Sequence, residues 1–344
     1  MTSAPKLPAP RVPDPRSAPV LRWGVLAPGG IARTFGRALR ARTNQEIRAV
    51  ASRSLDRAQE YRTEFGVEVA YGSYEELVSD PHVDAVYVAS PHSEHLAHAR
   101  LALEAGKPVL VEKAFARNGT EARAVFDTAD RAGLFAMEAM WTRFLPHIDV
   151  VRQCLEQGLL GEVQVVAADH GQKLYPDGPQ RLSDPALAGG ALLDLCVYPI
   201  SFASMVLGEF DSLHATGLLT KEGVDAQEAV TVQNAAGALG VLSASMVCRT
   251  PTTASISGTR ARLELTGSFY GPSRLTLLSP KDEVLDVLEP SDREHGIQHE
   301  IGEVARCVEA GLLESPVLPW AETLRVMDAM DAVREQIGFR LPGE

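Results

Sequence analysis

Short apolar runs alternate with helix-length stretches through the first 140 residues. Residues 20–27, 46–51, 84–89, 108–111 and 134–136 read as buried strands, each followed by a stretch with apolar positions three and four apart. Repeated units of this kind predict a doubly wound parallel sheet, because right-handed crossovers fold each helix back onto the strands. The ligand crevice of such a sheet lies beyond the carboxyl ends of its strands. From about residue 141 the rhythm changes. Runs at 163–169, 212–220, 229–234, 240–247, 254–257, 262–265, 274–278 and 284–288 are separated by Gly, Asp, Ser and Pro turns, which predicts a large, open, mainly antiparallel sheet. Helix-like segments at 297–310 and 322–337 close the chain. The expected class is α/β, with a dinucleotide-type domain over 20–140 and an α+β domain over 141–344. Residues 1–19 hold six prolines and no apolar run, and read as a disordered tail.

A length of 344 residues fits two domains, and 45% hydrophobic with 23% charged residues fits ordinary globular packing rather than disorder or fibre. The net charge of −12 argues against nucleic acid as a partner, since phosphate backbones are bound by surplus Lys and Arg; an anionic ligand must meet a local positive spot. Cys154, Cys196, Cys248 and Cys307 lie far apart without a CxxC pair, so no zinc site or disulfide framework is expected and a reducing cytoplasm fits. The apolar stretch 192–207 is broken by Asp194 and Pro199, so no membrane span is read.

The first strand runs into Ala27, Pro28, Gly29, Gly30, Ile31 and Ala32 just before a helix. Glycines there let backbone N–H groups and the helix dipole meet a pyrophosphate. Arg53 follows Gly29 by 24 positions, where a ribose-recognising residue belongs. An acid there would select NAD; an Arg beside Ser52, with Arg57 one turn on, suits the 2′-phosphate of NADP. The strand at 108–111 leads into Glu112 and Lys113, placing a lysine at a carboxyl strand end where it can polarise a carbonyl. Gly189 and Gly190 open a buried helix on which Asp194 and Tyr198, four apart, share a face, with Pro199 expected to kink it just after Tyr198. A buried Asp needs a partner or a ligand. His92, His95 and His98 do not form a metal site, His170 ends a strand and can face a pocket, and His295 with His299 reads as a solvated helix face.

In order, the glycine turn with Ile31, Ala32 and Arg33, Ser90–Pro91–His92, Ala105–Gly106–Lys107, Glu112–Lys113, the segment 138–146 and the segment 189–200 resemble the glucose–fructose oxidoreductase / inositol dehydrogenase / MocA (Gfo/Idh/MocA) family. The resemblance is closest to the dimeric dihydrodiol dehydrogenase and NADP-dependent sugar dehydrogenase and ketoreductase branch, because the last motif ends in Tyr198 rather than His. It implies an N-terminal Rossmann domain, hydride transfer at the domain junction, and a homodimer or homotetramer through the C-terminal sheet. It implies Lys113, Asp194 and Tyr198 as catalytic residues, Tyr198 exchanging the proton with Lys113 assisting. Gly29, Gly30, Ile31, Ala32, Ser52, Arg53, Arg57, Ser90, His92, His95, Glu112 and Lys113 then face the cofactor, His95 as a packing residue. Trp141, Arg143, His170, Asp194 and Tyr198 border the substrate. Ala27 stands in place of the motif's first glycine and Ala114 in place of its proline.

The expected activity is NADP-dependent, rather than NAD-dependent, interconversion of alcohol and carbonyl on a sugar, polyol or cyclic diol. A tyrosine titrating near 10 would be drawn toward the working pH by a neighbouring lysine. The alternatives are a glycosidase working by transient oxidation at C3 and a non-catalytic NADP redox sensor.

Overall fold

Six strands, β1 (Arg22–Leu26), β2 (Glu46–Ala51), β3 (Val69–Tyr71), β4 (Ala85–Val88), β5 (Val109–Glu112) and β6 (Ala136–Ala139), pair in parallel in the order β3-β2-β1-β4-β5-β6. The computed structural model describes residues 5–294 and 296–342. Helices α1 (Gly30–Arg42), α2 (Leu55–Phe65), α3 (Tyr74–Val78), α4 (His95–Glu104) and α5 (Gly119–Ala132) connect the strands. Val25, Val86 and Val109 to Val111 are fully buried, as strands covered on both faces require. The strand order reverses between β1 and β4, so the crevice of this sheet lies at their carboxyl ends. α1 and α2 pack closely because Gly36 has no side chain: a Cβ there would lie 2.6 Å from the Tyr61 hydroxyl.

This sheet belongs to one of two compact units, formed by Pro13–Phe144 with His295–Leu324. The other comprises Met1–Val12, Leu145–Glu294 and Arg325–Glu344. Within it, after α6 (Pro146–Glu156), come β7 (Val163–Gly171), α7 (Val197–Leu207), β8 (Ser212–Leu219), β9 (Asp225–Gln233), β10 (Leu239–Ser245), β11 (Ala254–Gly258), β12 (Arg262–Leu265), β13 (Leu275–Leu278) and β14 (Val284–Leu288). These strands form one sheet in the order β14-β13-β12-β11-β7-β10-β9-β8, antiparallel except for the β7–β10 pair. Alternation sorts its two faces. Val166, Val230 and Leu242 are buried on the side that α7 covers, whereas Val165, Leu239 and Val241 are exposed on the other. The apolar stretch 185–207 is 89% buried over its most hydrophobic window, as a core helix is.

The boundary expected near residue 141 is crossed by later chain. α8 (Gln298–Glu309) packs on α1, and Trp320, opening α9 (Trp320–Ile337), stacks on Phe126 with centroids 5.0 Å apart and donates its indole N–H to Ala136 O at 2.8 Å. The amphipathic pattern of these helices identifies a buried face but not the sheet that buries it. The far end of α9 lies on β8, where Gln336 Nε2 donates to Leu213 O at 3.0 Å.

The proline-rich segment, expected as a disordered tail, is held in place from Leu7 onward, and the Leu7 N–H donates to Asp286 Oδ2 at 3.0 Å. Arg11 donates its backbone N–H to Asp149 Oδ2 at 2.6 Å and two guanidinium N–H groups to Oδ1, while Gln153 Nε2 donates to Ala9 O at 2.8 Å. Proline supplies a chain that loses little entropy on ordering, so a few side-chain contacts anchor it. Residues 1–4 and His295 lie outside the described residues.

Candidate active site

At the carboxyl edge of the parallel sheet, Ala27 takes up φ 61°, the left-handed conformation that the missing motif glycine would supply. The turn therefore closes with an alanine: Ala27 N–H donates to Ala51 O at 3.0 Å and Gly29 N–H to Ala27 O at 2.7 Å. α1 begins at Gly30, where a Cβ would meet nothing within 4 Å, so the backbone of the turn is open to a ligand. Ile31 is exposed and Ala32 buried against α2. Arg33 is turned back into the fold, donating to Pro28 O at 3.1 Å and pairing with Glu64 at 2.8 Å. Beyond β2, Ser52 is buried and its hydroxyl accepts the Ser54 N–H at 3.2 Å, while Arg53 and Arg57 are exposed.

The loop that carries Lys113 is clamped on several sides. Glu112 accepts a short hydrogen bond from the buried Tyr87 hydroxyl and, at 3.2 Å, the Lys113 N–H. His92 Nε2 lies 3.2 Å from Lys113 O, His95 Nδ1 lies 3.0 Å from Ala114 O, and Glu138 Oε1 accepts the Phe115 N–H at 3.2 Å. The Lys113–Ala114 peptide is cis, and Ala114 is fully buried. His95, expected as a packing residue on the cofactor side, is fully enclosed. Its Nε2 lies 2.8 Å from Ser90 O and burial pushes its pKa down to about 4, so the neutral ring donates to a carbonyl of one loop and packs against the other. His98 Nδ1 reaches Ser90 Oγ at 3.0 Å, so the three histidines serve three separate contacts.

Behind this loop lies an acidic core. Glu138 and Glu300 are 2% and 1% exposed; burial pushes Glu138 up to about 7 and Glu300 well above the carboxylate range, with Glu112 adding like charge to both. Thr323 donates to Glu138 Oε2 at 3.2 Å. Trp141 and Arg143 follow β6 in a short 3-10 turn; Arg143 is 4% exposed and its guanidinium forms a buried ion pair with Glu322 at 2.7 Å.

In the second unit the double glycine leads into a π-helical turn, Leu192–Cys196, that precedes α7. Asp194 lies within it and Tyr198 in the first turn of α7, so the irregularity comes before Tyr198 rather than at Pro199. Pro199 has no N–H for Leu195 O, and His170 Nδ1 supplies a donor to that carbonyl at 3.2 Å. With Nδ1 carrying the hydrogen, Nε2 accepts from Gln172 Nε2 at 2.9 Å. The His170 ring thereby stands beside Tyr198 (5.4 Å between centroids) and Tyr270 (4.4 Å), and Tyr198 stacks on Tyr270 at 4.6 Å. Asp194, 8% exposed, pairs with Arg181 at 3.0 Å. Tyr270, Gln172 and Arg181 were not foreseen; each comes from a loop or strand end with no motif of its own.

A family model described as an oxidoreductase family with an NAD-binding Rossmann fold matches residues 21–140, and one described as the GFO/IDH/MocA C-terminal domain matches 148–264. The trans-1,2-dihydrobenzene-1,2-diol dehydrogenase of Bos taurus is 37% identical over 333 residues, covering 94% of this chain and 98% of that protein. The Homo sapiens protein of the same name is 36% identical over 330 residues, with the same coverage. Among solved structures, KijD10, a 3-ketoreductase from Actinomadura kijaniata in complex with NADP and TDP-benzene, superposes with a TM-score of 0.82 at 28% identity over 93% of this chain and 98% of that one. A levoglucosan dehydrogenase in complex with NADH and levoglucosan shares the fold, with a TM-score of 0.84 at 20% identity over 95% of this chain and all of that one.

Proposed function

The chain belongs to the Gfo/Idh/MocA oxidoreductase family, and from that premise we propose that it interconverts an alcohol and a ketone on a sugar, polyol or cyclic diol with NADP, Tyr198 exchanging the proton and Lys113 assisting. It is an NAD(P)-dependent oxidoreductase acting on CH–OH groups. The observation that carries the finer reading is the row of candidate residues along the carboxyl edge of the parallel sheet: Gly29 to Ala32 after β1, Ser52 and Arg53 after β2, Ser90 and His92 after β4, Glu112 and Lys113 at β5.

The open backbone at Gly30 fits a pyrophosphate, and exposed Arg53, with no acid at that strand end, fits a 2′-phosphate. When bound, the nicotinamide supplies or takes up the hydride. The chain's own part is to fix the reacting carbon, to hold the proton on Tyr198 Oη and pass it to the carbonyl oxygen in reduction, and to place the Lys113 charge where oxyanion character develops. Asp194 borders the Tyr198 side and orients substrate hydroxyls, with the His170 ring packed beside Tyr198. The exposed face of the second sheet, around Val165, Leu239 and Val241, takes a second copy of the chain; sedimentation showing a monomer at micromolar concentration would remove that part of the reading.

The test is turnover. Purified protein is given NADP with trans-1,2-dihydrobenzene-1,2-diol and a panel of aldoses, and NADPH with the corresponding keto sugars. Substrate-dependent change in NADPH absorbance supports the reading; its absence across the panel, with NADPH bound, contradicts it.

A further inference from the structure

The turn that presents Asp194 and Tyr198 has no cap of its own. It opens after Gly189 and Gly190, its first residues carry no side-chain cap, and Leu192 to Cys196 are all buried, so water cannot satisfy the free N–H groups of its first turn. A carboxylate from another strand does so instead. Asp225, the first residue of β9, is 1% exposed, and its Oδ2 accepts the Leu192 N–H. The double glycine is the counterpart of this contact. Gly190 sits at φ 118°, and a Cβ on it would lie 2.0 Å from Asp225 Oδ1, so only glycine lets the carboxylate reach the helix end. Three residues on, Glu228 of the same strand is buried beside Cys196, the last residue of the π-turn. Burial pushes Glu228 well above the carboxylate range and Asp225 up to about 6, which leaves Asp225 as the charged cap at neutral pH and Glu228 as a neutral backing group.

We propose that Asp225 is a positioning residue for proton transfer: by capping the buried helix from β9 it fixes the π-register of Leu192–Cys196 and hence the placement of Asp194 and Tyr198. The proposal rests on the reading of Tyr198 as the proton donor. A π-turn inserts one residue relative to an α-helix, so letting the N-terminus slip would rotate Asp194 relative to Tyr198 rather than merely loosen the helix. Asp225 accepts from the turn's backbone and acts through the turn.

The experiment uses the full chain and three variants, Asp225→Ala, Asp225→Asn and Tyr198→Phe, with amide hydrogen exchange over residues 190–198 and turnover of NADP with trans-1,2-dihydrobenzene-1,2-diol. In Asp225→Ala the Leu192 amide is expected to exchange at least tenfold faster and kcat to fall tenfold or more, with the KM for NADP within twofold. Asp225→Asn keeps an acceptor and is expected to restore part of both. Unchanged exchange in Asp225→Ala overturns the cap. Faster exchange with unchanged kcat, while Tyr198→Phe is inactive, overturns the positioning role alone. If Tyr198→Phe keeps full turnover, the proton-donor reading fails, the role in proton transfer falls with it, and exchange alone decides the cap. Should Asp225→Ala not fold, the wild-type chain still decides: fast exchange at Leu192 overturns the proposal.

Discussion

Glu138 Oε1 accepts the Phe115 N–H at 3.2 Å, tying the end of β6 to the loop that carries Lys113. The same carboxyl is fully buried, accepts from Thr323, and is pushed up to about 7 by that burial, with nearby Glu112 adding to the rise and Arg143 opposing it. The folded state thus holds a proton that the unfolded chain gives up above about 4.5, so the group's contribution to stability declines as pH rises from about 4.5 to 7 and is level above that. Glu138→Gln keeps an acceptor for Phe115 and can donate to Thr323. It is expected to raise Tm by about 2–4 °C at pH 8 relative to the wild type, with the difference vanishing near pH 4.5. Calorimetry at the two pH values checks this; a gain equal at both would show that ionisation is not the cause.

The left-handed Ala27 makes a second prediction. An alanine at φ 61° costs about 1–2 kcal/mol that glycine does not, partly offset by glycine's greater freedom in the unfolded chain. Ala27→Gly should therefore stabilise the protein by about 1 kcal/mol in denaturant unfolding, with NADPH affinity kept. A loss of stability would show that the turn depends on the methyl group.

Much of this organisation was legible in the sequence, and the parts that were not share a cause. The expected strands 46–51, 262–265 and 284–288 coincide with β2, β12 and β14, because turn residues bracket each run. β3, three residues long, has no period to detect. The glycine turn and the Glu112–Lys113 strand end are local features, and they lie at the carboxyl ends of β1 and β5. The π-turn was not legible, because it depends on His170 meeting the carbonyl that Pro199 leaves without a donor and on Asp225 capping from 33 residues away. Likewise the buried Arg143–Glu322 pair and the anchoring of Arg11 on Asp149 link positions more than 100 residues apart, which no spacing rule joins.

Arg53 supplies the prediction on dinucleotide choice. Losing a charge-assisted contact to the 2′-phosphate weakens binding by about 1.5–3 kcal/mol, so Arg53→Ala is expected to raise the Kd for NADPH by about 10- to 100-fold and that for NADH by less than threefold. Fluorescence titration with both dinucleotides measures it, and equal losses for the two would remove Arg53 from 2′-phosphate recognition.

The central claim is that Tyr198 carries the proton. Tyr198→Phe removes one hydroxyl and keeps the ring that stacks on Tyr270 and His170, so the aromatic cluster and its packing are retained. The most direct measurement is kcat for NADP-dependent turnover of this variant, beside its Kd for NADPH. General acid–base catalysis is worth about 100- to 10,000-fold, so the account predicts a fall of that size in kcat with the Kd unchanged. Turnover within a few-fold of the wild type would contradict it.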